Sequence, residues 1–292
     1  MNVLILGATG MLGHTLFHYL EQDKSICVYG TARANNAIQY FPKALSTQLI
    51  VGIDVENNES LLKVFTDIQP DVVVNCIGIV KQLAEANDPL SAIPINSLLP
   101  HRLATLCKTV GARLIHISTD CVFSGIKGNY LESDFPDADD LYGRSKFLGE
   151  VDYPHAITLR TSIIGHELVG QKGLVSWFLA QQGAIKGFTH AIFSGFPTVE
   201  LASIIRNFVI PRPTMKGLYH VASKPISKYD LLQLITKSYK KTIQIIPTGS
   251  LIMNRSLKAE RFNKETGYVV PEWPELVERM NKFKDILSEH NV

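Results

Sequence analysis

The chain has 292 residues, enough for one large domain or two unequal lobes around a proper core. Hydrophobic residues make up 46% and charged residues 19%, which excludes a disordered chain. The net charge of +2 gives no electrostatic case for nucleic acid or an anionic membrane, and no apolar run approaches the roughly 20 residues that span a bilayer.

The chain opens directly in NVLILG, with no basic leader and no cleavage site, so a cytoplasmic protein is expected. VLIL at 3–6 reads as a first strand, followed by a helix from about Met11. ICVYG at 26–30 and LIVGID at 49–54 read as the second and third strands. SLLKVFTDI has helical period, and DVVVNCIG at 71–78 is a fourth strand. A long helix is expected after Pro94, then strands RLIHIS at 113–118 and AITLRTS at 156–162. Near-continuous apolar strands separated by helices predict an α/β fold, a Rossmann-type doubly wound parallel sheet with ligands at the carboxyl ends of its strands. The last third mixes helices (TVELASIIRNFV, KYDLLQLITKSY, PELVERMNKFKDIL) with short strands (GLYHVA, TIQIIP), punctuated by Gly187, Pro197, Pro211, Pro213 and Pro271. It reads as a smaller lobe of residues 166–197 and 223–292, with 198–222 returning to a sheet domain of residues 1–165. Cys27, Cys76, Cys107 and Cys121 are scattered without a CxxC pair, which predicts buried or reduced thiols.

Gly7, Gly10 and Gly13 lie between the first strand and its helix, the context a dinucleotide turn requires. Gly7 permits a tight turn, Gly10 lets backbone approach a pyrophosphate, and Gly13 lets helix and strand pack closely. The N–H groups of Met11 and Leu12 at the helix start would meet the pyrophosphate. The spacing is G-x-x-G-x-x-G, and a glycine-rich corner without ligand is the alternative. The second strand ends Gly30-Thr31-Ala32-Arg33, without the acid that would read both ribose hydroxyls of NAD. Arg33 can pair with a 2′-phosphate instead, which favours NADP(H) and leaves NAD(H) open; a solvated Arg33 is the other reading. Asp54 and Val55 follow the third strand, where Asp54 can accept from an adenine amino group. Cys76, Ile77 and Gly78 end the fourth, where backbone would pass under the cofactor.

Tyr142 and Lys146 are four apart on an expected helix and share one face. The spacing alone arises by chance, but here it follows a glycine turn and a fifth strand ending Ser118-Thr119-Asp120. A tyrosine titrates near pH 10, and a nearby ammonium would stabilise its phenolate. Thr119 can hold a carbonyl oxygen. The set describes carbonyl reduction, with hydride to carbon and a proton from Tyr142 to oxygen.

At these residues the chain resembles the extended short-chain dehydrogenases/reductases. GATGMLG, STDCVFSG, YGRSKFLGE, LRTSIIG, SGFPTVELA and GLYHVA follow one another as in the dTDP-4-dehydrorhamnose reductase-like group, over roughly residues 2–240. The resemblance implies Thr119, Tyr142 and Lys146 as catalytic set, NADP(H) as cofactor (also touched by Tyr142 and Lys146) and a nucleotide-linked 4-keto-6-deoxysugar as substrate, used in polysaccharide sugar synthesis. Substrate contacts are expected from Ser118, Cys121, His166, Lys172, Trp177 and Ser194, with Lys172 facing the diphosphate. His166 in a solvated loop, Trp177 with Phe178 as helix packing, and Pro197-Thr198 as a helix start are the plainer readings. The family's STDYVFDG reads STDCVFSG here, and Ile163 stands where an aromatic is expected. Thr15 occupies the position of a magnesium-binding glutamate, no H-E-x-x-H motif occurs, and no metal is expected. His116 reads as a core residue and Lys240-Lys241 as a surface pair. A homodimer is compatible with the sequence. The competing functions are an epimerase, a dehydratase (which would want an Asp-Glu pair after Thr119) and a non-catalytic NADP-binding subunit, since the group includes a regulatory relative of methionine adenosyltransferase.

Overall fold

A computed structural model describes residues 1–289, with side chains to residue 284. Strand β1 (Asn2–Leu6) turns through the glycines into helix α1 (Met11–Glu21). Strands β2 (Cys27–Thr31) and β3 (Leu49–Ile50) follow, then α2 (Asn58–Ile68) and β4 (Val72–Asn75). A helical run leads through α3 (Leu99–Val110) to β5 (Arg113–Thr119), α4 (Leu141–Leu148) and β6 (Ala156–Thr161). After α5 (Leu174–Ala180) and α6 (Thr198–Ile204), the chain rejoins the sheet as β7 (Gly217–His220). The sheet order is β7-β6-β5-β4-β1-β2-β3, with every neighbouring pair parallel. The order reverses between β1 and β4, so a crevice opens there at the carboxyl ends.

Both faces of the sheet are covered, which is why its strands are apolar at consecutive positions. Leu4, Leu6, Val73 and Leu114 pack with Leu61, Phe65, Leu103 and Cys107 on one side. Val3, Ile5, Val74 and Ile115 belong to a second cluster with Leu16, Phe17 and Leu201. That cluster runs on without a break to Leu231, Ile235, Leu276 and Met280. Helix α6 packs on α1, and the Thr15 hydroxyl donates to the Thr198 hydroxyl at 3.0 Å between them.

The additional elements are helices α7 (Lys228–Ser238), α8 (Glu260–Thr266) and α9 (Trp273–Glu289), with three small sheets. Ile163–Ile164 pairs with Phe196–Pro197, and Ala184–Phe188 with Gln244–Thr248. Ala191–Phe193 lies between Ile226–Ser227 and Met253–Asn254.

Two sequence boundaries need correction. The third strand stops at Ile50, because Gly52 takes φ +75 and Asp54 turns the chain by accepting from the Glu56 N–H at 3.0 Å. The long helix starts before Pro94, at Pro89–Ala92 capped by Asp88, and passes through a π turn at Ile93–Leu98 that holds Pro94. Proline has no N–H to give the i→i−4 ladder, and a π turn breaks that ladder where it sits. All four cysteines are free; Cys107 is buried, whereas Cys27 is exposed at the start of β2.

Candidate active site

The glycine turn has three different physical requirements. Gly7 sits at φ +82, a conformation that a side chain strains. Gly13 touches the turn so closely that a Cβ would lie 2.0 Å from the Gly7 oxygen. Gly10 is different. Its φ of −74 suits any residue, and a Cβ there would meet only the Gly7 oxygen, at 3.4 Å. Packing within the chain therefore does not require glycine at 10. What a side chain would block is access to the start of α1, where no side chain caps the helix. Unsatisfied N–H groups and the helix dipole make that end an anion seat. These residues fit a dinucleotide pyrophosphate. Leu12 is buried beneath the turn, so its backbone and not its side chain can serve, and Met11 is half-buried at the surface.

On the adenosine side, Arg33 is exposed beyond the end of β2 and makes no hydrogen bond or ion pair among the described residues. Asp54 is exposed but already accepts from Glu56, and Val55 packs into the core. The turn after β4 is clamped from below. Asn75 accepts from the Ile77 N–H and donates to His116, and Asn96 bonds both polar backbone groups of Ile79. Cys76 lies in this turn, where burial pushes its thiol up to about 12. Gly78 faces Lys146, whose Nζ would lie 3.8 Å from a Cβ placed there.

Thr119 ends β5, and α4 begins three residues after the 121–138 loop closes on it, with Asp140 accepting from the Gly143 N–H as its cap. The Thr119 hydroxyl donates to Asp120 at 3.3 Å and accepts from the Cys121 N–H at 3.1 Å, and it is near enough to the Tyr142 phenol to favour its ionised form. Lys146, one turn further, is buried and donates to the Ile117 carbonyl at 2.8 Å. Burial pushes its ammonium down to about 8, against the pull of the Glu150 carboxylate. In the protein alone the Tyr142 phenol is held above its usual range, by burial first and by Cys121 next, while the Thr119 hydroxyl draws it down. Lys146 uses one of its three N–H groups on the Ile117 carbonyl.

Two scaffolds hold this set, and the sequence analysis missed both. Asn96, buried in the π turn, donates to the Ser145 hydroxyl, while Ser97 donates to the Ser145 carbonyl. Gly149 lets α4 approach this turn, because a Cβ would fall 1.9 Å from the Asn96 oxygen. A polar Asn-Ser pair within an otherwise apolar helix was the available signal. Behind β5, Arg160 and Glu150 form a buried two-bond ion pair at 2.6 Å. Ser118 donates to the same Glu150 at 2.7 Å and is 4% exposed. Ser118 therefore supports this pair.

The other expected substrate contacts divide. Cys121 is half-buried beside Thr119, and burial followed by the Asp120 charge pushes its thiol up to about 12. Asp120, buried, has its carboxyl raised by that burial. Ser194 is 2% exposed and its hydroxyl accepts from the Leu257 N–H, so it stitches two segments together. His166 is half-buried and hydrogen-bonded to the Tyr239 hydroxyl at 2.8 Å, neither solvated nor free. Lys172 is exposed, next in sequence to Gly173, where an added Cβ would meet the Met11 side chain. Trp177 is half-exposed on α5 while Phe178 is fully buried in its packing. His116 is buried as expected of a core residue. Thr15 is buried and bonded to Met11 and Thr198, and among the described residues no three His, Cys, Asp or Glu side chains stand together as a metal site. No helix among them is long and apolar enough to cross a membrane.

Comparison with known proteins gives the same architecture. The RmlD substrate binding domain model matches residues 1–283. Methionine adenosyltransferase 2 subunit beta of Danio rerio is 28% identical over 268 residues, 86% of this chain and 76% of that protein. The dTDP-4-dehydrorhamnose reductase of Escherichia coli K12 is 28% identical over 307 residues, covering 96% and 97%. The dTDP-4-dehydrorhamnose reductase of Bacillus anthracis, solved in complex with NADP, superposes with a TM-score of 0.78 at 22% identity, over 97% and 99% of the two chains. With the sheet order, the glycine turn and a family model spanning nearly the whole chain in agreement, the protein belongs to the RmlD substrate-binding-domain family, with an extended short-chain dehydrogenase/reductase fold.

Proposed function

We propose that the protein is an NADP(H)-dependent reductase acting on the 4-keto group of a nucleotide-activated 6-deoxyhexose, of the dTDP-4-dehydrorhamnose reductase type, in the synthesis of polysaccharide sugars. The observation that carries this reading is the convergence of Thr119 at the carboxyl end of β5 with Tyr142 and the buried Lys146 of α4, beside the Gly78 turn. Bound NADPH supplies the hydride to the carbonyl carbon. Thr119 holds the carbonyl oxygen, and Tyr142 donates its proton to that oxygen as the hydride arrives, so ketone plus hydride plus proton gives alcohol. A phenol held protonated suits this direction, since reduction consumes the acid form. Lys146 returns the proton to the phenolate; with its ammonium at about 8 it can both hold and release one near neutrality.

In this reading Gly7, Gly10, Met11, Leu12 and Gly13 bind the pyrophosphate, Arg33 the 2′-phosphate, Val55 the adenine side, and Cys76, Ile77 and Gly78 the nicotinamide side. A homodimer in the cytoplasm remains part of the proposal. NADPH consumption against a panel of nucleotide 4-ketosugars tests it: turnover with at least one is expected, and NADPH binding with no turnover on any would refute it. That second outcome is the one a non-catalytic subunit gives, a reading favoured by relatives that bear the name methionine adenosyltransferase 2 subunit beta.

A further inference from the structure

Strand β7 forms one edge of the sheet, and among the described residues no strand pairs with its outer side. The opposite edge, β3, is only two residues long and offers little for another strand to pair with. The four residues of β7 need a different protection. The Val221 N–H goes inward to the Arg160 carbonyl at the end of β6, at 2.9 Å. Backbone groups alternate in direction along a strand, so Leu218 and His220 turn theirs outward. In a parallel ladder, one residue of a next strand would donate to the Leu218 carbonyl and accept from the His220 N–H.

Two side chains fill those places. Arg261 of α8 donates through Nη1 to the Leu218 carbonyl at 3.0 Å. Glu132, from the loop that follows Thr119, accepts from the His220 N–H at 3.0 Å. One supplies the N–H and the other the oxygen of a residue that the sheet lacks. Both are braced. The Arg261 guanidinium lies over the Tyr219 ring, 4.2 Å from its centroid, and the Tyr219 hydroxyl donates to Glu265 of the same helix at 2.6 Å. Two residues before Glu132, the Tyr130 carbonyl accepts from the Lys258 N–H and from His220 Nδ1. Glu132 and Arg261 make no ion pair among the described residues, so it is the strand that each one holds. A cavity of about 500 Å³ lies against this edge, lined also by the exposed Asp152 and Lys216.

The same outward groups are complementary to themselves. With two copies antiparallel about a two-fold axis at Tyr219, Leu218 of each faces His220 of the other, and each such pair exchanges two N–H···O bonds. We propose that Glu132 and Arg261 form a latch that takes the place of an eighth strand on β7 and holds shut an edge that otherwise pairs with the β7 edge of a second copy of this chain. The latch stands on backbone geometry alone and does not depend on the reductase reading.

Sedimentation velocity at matched concentrations gives the mass in solution of the wild type and three double variants, each checked for folding by circular dichroism. Glu132→Ala with Arg261→Ala opens both backbone groups. Glu132→Gln with Arg261→Lys keeps an acceptor and a donor at the two positions. Asp152→Ala with Lys216→Ala removes charge from the same cavity without touching the latch. The alanine latch variant should have a higher mass than the wild type, rising with concentration, while the other two keep the wild-type mass. Hydrogen exchange should show the Leu218 and His220 amides of the latch variant more protected at high concentration than at low. Should the double alanine variant fail to fold, each single alanine variant opens one group and should show a smaller shift of the same kind. Folded alanine variants of wild-type mass overturn the proposal. Equal association by either of the other double variants overturns it too, since general charge would then be what keeps copies apart. Association without concentration-dependent protection of those two amides places the contact elsewhere and also overturns it.

Discussion

Lys146 carries a stability cost that its pH dependence exposes. Burial brings its ammonium from the ordinary 10.5 to about 8. Each unit is worth about 1.4 kcal/mol, so holding the charge inside costs about 3 kcal/mol at neutrality. Below pH 8 the side chain is protonated in both folded and unfolded chains, and the cost is present in full. Between pH 8 and 10.5 the folded chain sheds the proton first, the unfolded chain binds more protons, and stability rises with pH. Lys146→Met keeps an unbranched side chain of similar length and removes the titration. It also orphans the Ile117 carbonyl, a loss of about 1 to 3 kcal/mol that does not vary with pH. Urea unfolding of both proteins from pH 7 to 10.5 isolates the lysine, since every other group titrates in both. Wild-type stability should climb relative to Lys146→Met by about 3 kcal/mol across that range, while the variant is inactive throughout. A difference that stays flat from pH 7 to 10.5 would show that the ammonium is not desolvated, and the role given to it as a neutral-pH proton donor would fall with it.

Four further outcomes follow from the site. Tyr142→Phe should lower kcat by about 10² to 10⁴ with NADPH affinity unchanged, and near-normal turnover would remove the tyrosine as acid. Arg33→Ala should weaken NADPH about 10- to 150-fold in a direct binding titration and leave NADH nearly unaffected; equal effects would end the 2′-phosphate assignment. Glu150→Gln leaves Arg160, 2% exposed, without its countercharge and should cost about 3 to 5 kcal/mol in denaturant unfolding; a change below 1 kcal/mol would mean that water reaches the pair. Activity should survive EDTA dialysis, and a loss restored by Mg²⁺ would show a metal site that the arrangement of Thr15 does not suggest.

What was legible in the sequence was whatever depends on local period. The apolar runs gave the strands because both sheet faces are covered, and the glycine turn was readable because Gly7 and Gly13 answer backbone demands and Gly10 leaves the helix start open. Tyr142 and Lys146 were found because helical spacing puts them on one face. Boundaries failed where one residue overrides a run. Gly52 ends β3 within an apolar stretch, and Pro94 sits inside a π turn where proline usually marks an edge. Substrate-side residues are harder to read for a different cause. Ser118 and Ser194 look free in a sequence, but their partners Glu150 and Leu257 lie 32 and 63 residues away. At such distances no period operates.

The path of the sheet also sets an order of events during synthesis. The chain leaves the sheet at Thr161 and returns to its edge only at Gly217, after laying α6 across α1. Until the ribosome has made that return, β6 presents an open edge, and the apolar side of α1 lacks the cover that Leu201 and Ile205 later give it. At about 5 to 20 residues per second this exposure lasts for several seconds on each nascent chain. A stalled or truncated product ending between these points would thus carry a sticky sheet edge, and clearance by chaperones or proteases is its expected fate.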